Sequence, residues 1–370
     1  MSGLAEKSQR NSNIELLRIF SMLCIVAYHY FMYGFYSEDL FYTGNKFLSD
    51  ILGDYGQIGV NLYLLISGYF LTEQRFSLKR LLTVAGQVWF YCWGILLVLT
   101  VLGKPPAGLE LKYLLFPLTM SHYWFASYYV VLLLLAPALN FFVHRVTQRQ
   151  HLAAILVMML IYSVVPTFLR VTFQYTTAGR MVMLYLMAAY VRLYLGKAKL
   201  KTHCCLALFW YLCILGFSLF CDVLGQLRQD EAMLLRSMAL AKGESFFGHM
   251  LTVELLICAV LAKPRHIGWV NRAASLTFGV YLFHENYFIS PMWQSVFHTR
   301  GFAASPLLIL HALGTILAVY LAGSLLDLLR QLTLGKLWGR LLDRFAPPLE
   351  ARLRACFDRL LAAVNRALGA

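Results

Sequence analysis

The chain has 370 residues, 60% hydrophobic and only 14% charged, with a formal net charge of +14 and a mean hydropathy of +0.64. A soluble domain usually carries about a quarter charged residues, so this composition excludes a water-covered globule. Apolar runs of roughly twenty residues, in place of alternation, exclude a β-barrel as well. The lysines and arginines sit in short connectors between those runs, which points to membrane orientation and away from nucleic acid.

Taken in chain order, about ten membrane helices are expected, near 14–33, 54–72, 81–102, 122–143, 152–169, 180–196, 203–221, 245–262, 273–291 and 306–329. The first follows Lys7 and Arg10 and could pass for a secretory leader. It is too long for one, carries Arg18 and His29, and is followed by no small-residue cleavage site. Pro105, Pro106 and Gly108 punctuate the connector after the third span, and 109–118 reads as a short interfacial piece. Asp222 to Glu244 is the longest outer connector, so no soluble catalytic domain is expected and any chemistry belongs inside the bundle.

Alternate connectors differ in charge. One face gathers Arg75, Lys79, Arg80, Arg145, Arg149, Arg192, Lys197, Lys199, Lys201, Lys263, Arg265 and Arg272 together with both termini, and outnumbers the other more than twofold in basic residues. That face is expected to be cytoplasmic. The expected fold is therefore an all-α polytopic membrane bundle with both ends inside. It divides into a membrane domain over 1–334 and a basic tail over 335–370, an amphipathic helix suited to the anionic inner leaflet. The eight cysteines lie mostly within apolar runs, without a CxxC pair or His/Cys cluster, and read as apolar fillers; no metal site is expected.

Ionisable groups inside a bilayer are costly and are functional candidates by default. Here they are Glu15, Arg18, His29, His122, His249, Glu254, His284, Glu285 and His311. Eleven residues at about 100° each bring a helix round to within roughly 20° of its starting face, about 16 Å along the axis, so Arg18 and His29 fit one interior cleft. A neutral imidazole accepts a hydroxyl proton near pH 7, whereas Arg18 stays charged and binds or stabilises anions. Glu15, one turn before Arg18, is its natural partner. The blander alternative has Arg18 snorkelling to the inner headgroups and His29 bonding a neighbouring helix. Glu254 and His249, five residues apart, are poorly aligned and read as packing groups. Most Tyr and Trp residues near span ends, Tyr128 among them, read as interfacial, while Trp124 also suits a sugar face.

Four segments carry a resemblance: NIELLRIFSMLCIVAYHY (Asn13 to Tyr30), GVNLYLLISGYFL (Gly59 to Leu71), HYWFASYYVVLLLLAPALN (His122 to Asn140) and SLTFGVYLFHEN (Ser275 to Asn286). The chain resembles membrane acyltransferase family 3, the bacterial multi-span O-acyltransferases of surface glycans. Arg18 and His29 match that family's arginine and histidine of the first span. Ser67, Gly68 and Tyr69, read as a small-residue turn after the second span, match a second motif; Trp124 and Phe125 match a third, and His284 the histidine of the ninth span. Where many members carry two arginines separated by two residues after the second span, this chain has Arg75, Lys79 and Arg80.

The resemblance implies an enzyme of the bacterial inner membrane that moves an acyl group, most simply acetyl, from cytoplasmic acyl-CoA to a sugar hydroxyl of an exported polysaccharide or glycolipid. Acyl-CoA would be a co-substrate, with no bound cofactor. It implies His29 and Arg18 as catalytic residues, with Glu15, Ser67, Gly68, Tyr69, Arg75, Lys79, Arg80, Trp124, Tyr128 and His284 around the substrates. A transporter or flippase of a glycan or lipid precursor is the rival class; no inverted repeat or pair of Gly/Pro-broken spans marks a midplane site for it.

Overall fold

The computed structural model describes residues 10–104, 111–118, 123–171, 173 and 176–368, and every regular element among them is helical. In chain order the helices are α1 (Ser12–Gly34), α2 (Lys46–Gly53), α3 (Gly56–Leu71), α4 (Leu78–Val101), α5 (Leu111–Leu115), α6 (Trp124–Arg145) and α7 (Gln148–Met159), which runs through a π turn, Leu160–Val164, into α8 (Val165–Leu169). Then follow α9 (Thr176–Tyr194), α10 (Leu200–Arg228), α11 (Glu231–Arg236), α12 (Phe246–Leu261), α13 (Gly268–Ala274), α14 (Thr277–His284), α15 (Met292–Ser295), α16 (Leu308–Leu332) and α17 (Leu334–Leu368).

Among the described residues, six stretches are long and apolar enough to cross a membrane: α1, α4, α6, the α7–α8 run, α10 and α16. Helices α3, α9 and α12 coincide with three further expected spans but fall short in length or hydropathy. The ninth expected span holds the last two residues of α13 and the eight of α14. The helix stops there because the Asn286 side chain accepts from the Phe288 backbone N–H at 3.0 Å, an Asx-type turn that diverts the chain. A short helix and turns at that depth are tolerable where protein, not lipid, surrounds them. Accordingly Thr277, Val280, Leu282 and His284 are fully buried. The connector from Asp222 to Glu244 is a folded cap: it completes α10, forms α11 and a 3-10 turn, and buries Leu234 and Ser237.

The chain forms two compact units. The first takes residues up to Gln74 together with Ala138–Ser324. Within it α1 and α3 cross closely because glycine faces α1: a Cβ on Gly56 would lie 2.0 Å from Tyr28 Cβ, and one on Gly59 2.5 Å from the Ser21 carbonyl. Small residues let backbones approach in this way, and Ser21 Oγ takes advantage of it by donating to the Gly59 carbonyl at 2.5 Å.

The second unit takes Arg75–Pro137 and Leu325–Ala370. Its buried anchor is Asp327 on α16, which accepts from Gln87 Nε2 at 3.0 Å, Tyr91 Oη at 3.2 Å, Arg330 Nε at 2.7 Å and Gln331 Nε2 at 2.8 Å. So many donors are what a carboxylate inside an apolar bundle requires. Helix α17 lies along α4: Trp338 Nε1 donates to the Leu82 carbonyl at 3.2 Å, Lys79 bonds Asp343, and Glu350 Oε2 accepts from the Leu78 N–H at 3.0 Å. A carboxylate at the start of α4 also suits the positive end of its dipole.

Candidate functional site

In the first unit, α1 packs against both α3 and α14. Near its start α1 presents Glu15, 1% exposed, between two cations: Oε1 is 3.1 Å from Arg10 Nε and Oε2 is 3.3 Å from Arg18 Nη1. The Arg18 guanidinium turns inward and stands 5.9 Å from the ring centroids of both Tyr63 and Phe70 on α3, a cation–π position. Its side chain is 16% exposed, so it does not snorkel to the headgroups. Tyr63 Oη in turn lies 3.3 Å from Thr277 Oγ1 on α14, two turns before His284.

Further along α1, His29 meets His284. A carbonyl oxygen only accepts, so the 2.6 Å contact between His284 Nδ1 and the Val280 carbonyl fixes the proton on Nδ1. A neutral His284 then has a bare Nε2, and the 2.9 Å contact from His29 Nδ1 makes that nitrogen the donor. Neutral His29 is thereby left with its lone pair on Nε2. That nitrogen lies 3.4 Å from Glu285 Oε1, close enough for an ion pair once it takes up a proton. Tyr33 stacks on the His29 ring with centroids 5.3 Å apart and hydrogen-bonds Glu285, and Tyr28 meets the same ring edge-on at 5.3 Å. His29, His284 and Glu285 are all buried. Their ligand atoms lie within 4.8 Å of one another; the imidazole-to-imidazole hydrogen bond occupies His284 Nε2 and leaves His29 Nε2 facing Glu285.

Arg18 and His29 thus share neighbouring elements: the first reaches α14 through Tyr63, the second directly. Other expected residues stand elsewhere. Ser67, Gly68 and Tyr69 are not a turn after the second span but lie inside α3. Their contacts are packing ones: Ser67 Oγ donates to the Tyr63 carbonyl at 2.8 Å, and a Cβ on Gly68 would touch Ala188 at 3.0 Å. Tyr69 Oη accepts from Arg192 Nη1 at 3.0 Å. Arg192 also bonds Glu73 and thereby holds the Glu73 carboxyl below the usual carboxylate range. Arg75, Lys79, Arg80, Trp124 and Tyr128 belong to the second unit. There Lys79 pairs with Asp343, Trp124 packs edge-on to Phe125 and Tyr128, and Arg75 and Arg80 form no ion pair among the described residues. His122 lies outside the described residues.

The remaining polar groups divide differently from their sequence spacing. His249 bonds Ser163 at 2.8 Å, Glu254 bonds His203 at 2.6 Å, and His311 bonds Tyr30 Oη at 2.8 Å. These are packing pairs, as the poor alignment of His249 and Glu254 implied. Glu285 stood among the ionisable candidates of the sequence without a partner assigned to it; Tyr33 did not, nor did a buried cluster of Lys46, Asp50, Asp54 and Asp222. The i, i+4, i+8 spacing of the first three was its only linear signal.

Against known families, the acyltransferase 3 family, described as an acyltransferase domain, matches residues 11–326. The chain belongs to the acyltransferase 3 family. It is an acyltransferase and a multi-pass membrane protein. The matched stretch contains α1, α3 and α14. No curated protein and no solved structure gave a match. As a member of an enzyme family, the chain is not read as a transporter.

Proposed function

We propose that this acyltransferase moves an acyl group, most simply acetyl, from cytoplasmic acyl-CoA to a sugar hydroxyl of an exported polysaccharide or glycolipid at the bacterial inner membrane. The observation that carries the reading is the chain of proton positions from the Val280 carbonyl through His284 to His29, which leaves a single basic lone pair, His29 Nε2, beside a carboxylate inside the bundle.

In the proposed reaction His29 Nε2 takes the proton of the acceptor hydroxyl as its oxygen attacks the thioester carbonyl. Glu285 stabilises the imidazolium that forms. The tetrahedral intermediate collapses, the carbon–sulfur bond breaks, and the imidazolium returns its proton to the CoA thiolate, so ester and free CoA are released and His29 is neutral again. Arg18, held between Glu15 and two aromatic faces about 16 Å along the helix from His29, supplies fixed positive charge toward the distant, anionic part of the donor.

The test has two parts. Purified protein in lipid nanodiscs should consume acetyl-CoA faster when an extract of cell-envelope glycan is added. Mass analysis of surface glycans from cells with and without the gene should then differ by one acyl group, and an unchanged glycan mass together with no glycan-stimulated consumption would remove the reading.

A further inference from the structure

A cavity of roughly 190 Å³ lies beside the histidine pair in the first unit. Its lining residues include Tyr28, Phe31, Phe35 and Phe41 together with Asp50 and Asp54. Tyr28 belongs to both places, since it lines the cavity and touches the His29 ring edge-on. The volume is below the ~300–1,000 Å³ of sites for drug-sized ligands, so it suits one small ring.

The two carboxylates differ in what they have left to offer. Asp50 is saturated: Lys46 Nζ donates to its oxygens at 2.5 and 2.7 Å, and Ser218 Oγ to Oδ2 at 3.1 Å. Lys46 in turn is spent, because it also donates to Ser237 Oγ at 2.9 Å and pairs with Asp222 Oδ1 at 3.1 Å. Asp54 is 7% exposed and lines the cavity, yet its carboxylate accepts no hydrogen bond among the described residues. A carboxylate in that condition takes its donors from whatever fills the cavity.

We infer that this cavity is the acceptor subsite and takes one uncharged, hydroxyl-rich sugar ring, stacked on the aromatic wall with a hydroxyl donating to Asp54. The inference rests on the acyl-transfer reading only for the word acceptor; the binding claim stands on the cavity alone. Aromatic faces cover the apolar face of a sugar, and a free carboxylate accepts its hydroxyls. Lys46 is the one cation in the lining and is already committed to Asp50, Asp222 and Ser237, so nothing in the wall is left to hold an anionic sugar. The inner-to-outer order of the connectors puts α2 on the outer side, where an exported glycan would arrive.

Saturation-transfer NMR on the protein in nanodiscs tests this directly, with methyl glucoside, methyl galactoside and methyl mannoside as neutral probes and glucuronate as the anionic one. The wild type should transfer saturation to ring protons of at least one neutral glycoside and not to glucuronate. Asp54→Leu should weaken that binding about tenfold, the worth of one hydrogen bond to a charged group, and Asp54→Asn, which keeps the shape, should weaken it less. No signal from any neutral glycoside, a stronger signal from glucuronate, or undiminished binding in a folded Asp54 variant would overturn the inference. The two readings separate cleanly. Sugar binding that depends on Asp54 and survives His29→Ala, without any acyl transfer, leaves the subsite standing and removes the proposed reaction. Acyl transfer with an unchanged acceptor KM in Asp54→Asn does the reverse.

Discussion

His284 carries the sharpest consequence of the proton chain, because it never has to touch substrate for its loss to be felt. Its Nε2 is the acceptor that keeps the His29 proton on Nδ1, at 2.9 Å. In His284→Phe the ring volume is kept and the acceptor is lost, so His29 Nδ1–H is left buried without a partner. An orphaned buried donor costs roughly 1–3 kcal/mol, a factor of about 5 to 150. His29 escapes that cost by changing tautomer or turning, either of which withdraws the Nε2 lone pair and with it a general-base contribution of about 10²–10⁴. The expected result is therefore a fall in kcat/KM of about two orders of magnitude or more, with KM for the acyl donor little changed. His284→Gln can place an amide oxygen near the former Nε2 and should retain activity within about tenfold of the wild type, since it restores the acceptor. Steady-state transfer from radiolabelled acetyl-CoA to extracted glycan, on nanodisc samples of matched melting temperature, reads all three proteins. Wild-type rates in a folded His284→Phe protein would refute the reasoning.

Arg18→Lys keeps the charge but not the planar fork that spans Glu15 and the two rings, so transfer should fall in part and Arg18→Met should fall further, by measured kcat/KM; equal rates in all three would assign Arg18 to packing. Gly56→Ala places a methyl 2.0 Å from Tyr28 Cβ; forcing α1 and α3 apart should cost about 1–3 kcal/mol, seen as a lower melting temperature in detergent. Glu73, whose carboxyl is held low by Arg192, contributes stability at pH values above its unfolded range and loses it as the pH falls through the folded value. Because the pair is largely exposed, Glu73→Gln should change the acid side of a melting-temperature profile by less than about 1 kcal/mol. A large change there would mean that the pair is buried in the membrane-embedded protein.

The membrane class was legible in sequence because composition alone forbids a soluble surface, and the Arg18 and His29 register was legible because helical geometry is arithmetic. Which side of α1 those residues shared was not, since it depends on the partner helices. The glycines at 56 and 59 that press α3 against α1 acquire that meaning only once Tyr28 and Ser21 are in place. The ninth span misled because α14 is apolar for the opposite reason to a membrane helix: it is wrapped by protein, and Asn286 then ends it. Ser67, Gly68 and Tyr69 looked like a turn because small residues also suit close helix packing. Glu285 stood in plain view beside His284, but its reach to His29 is a tertiary fact. The cluster around Lys46 was hidden by its position in a connector, where charges are ordinarily solvated.

The most direct measurement is acyl transfer by His29→Gln, reconstituted at matched lipid and protein content and checked for folding by its melting temperature. Transfer from acetyl-CoA to glycan should drop to background in that variant while the wild type turns over. Undiminished transfer by the folded variant would show that some other group takes the hydroxyl proton, and the imidazole chain across α1 and α14 would then be structural alone.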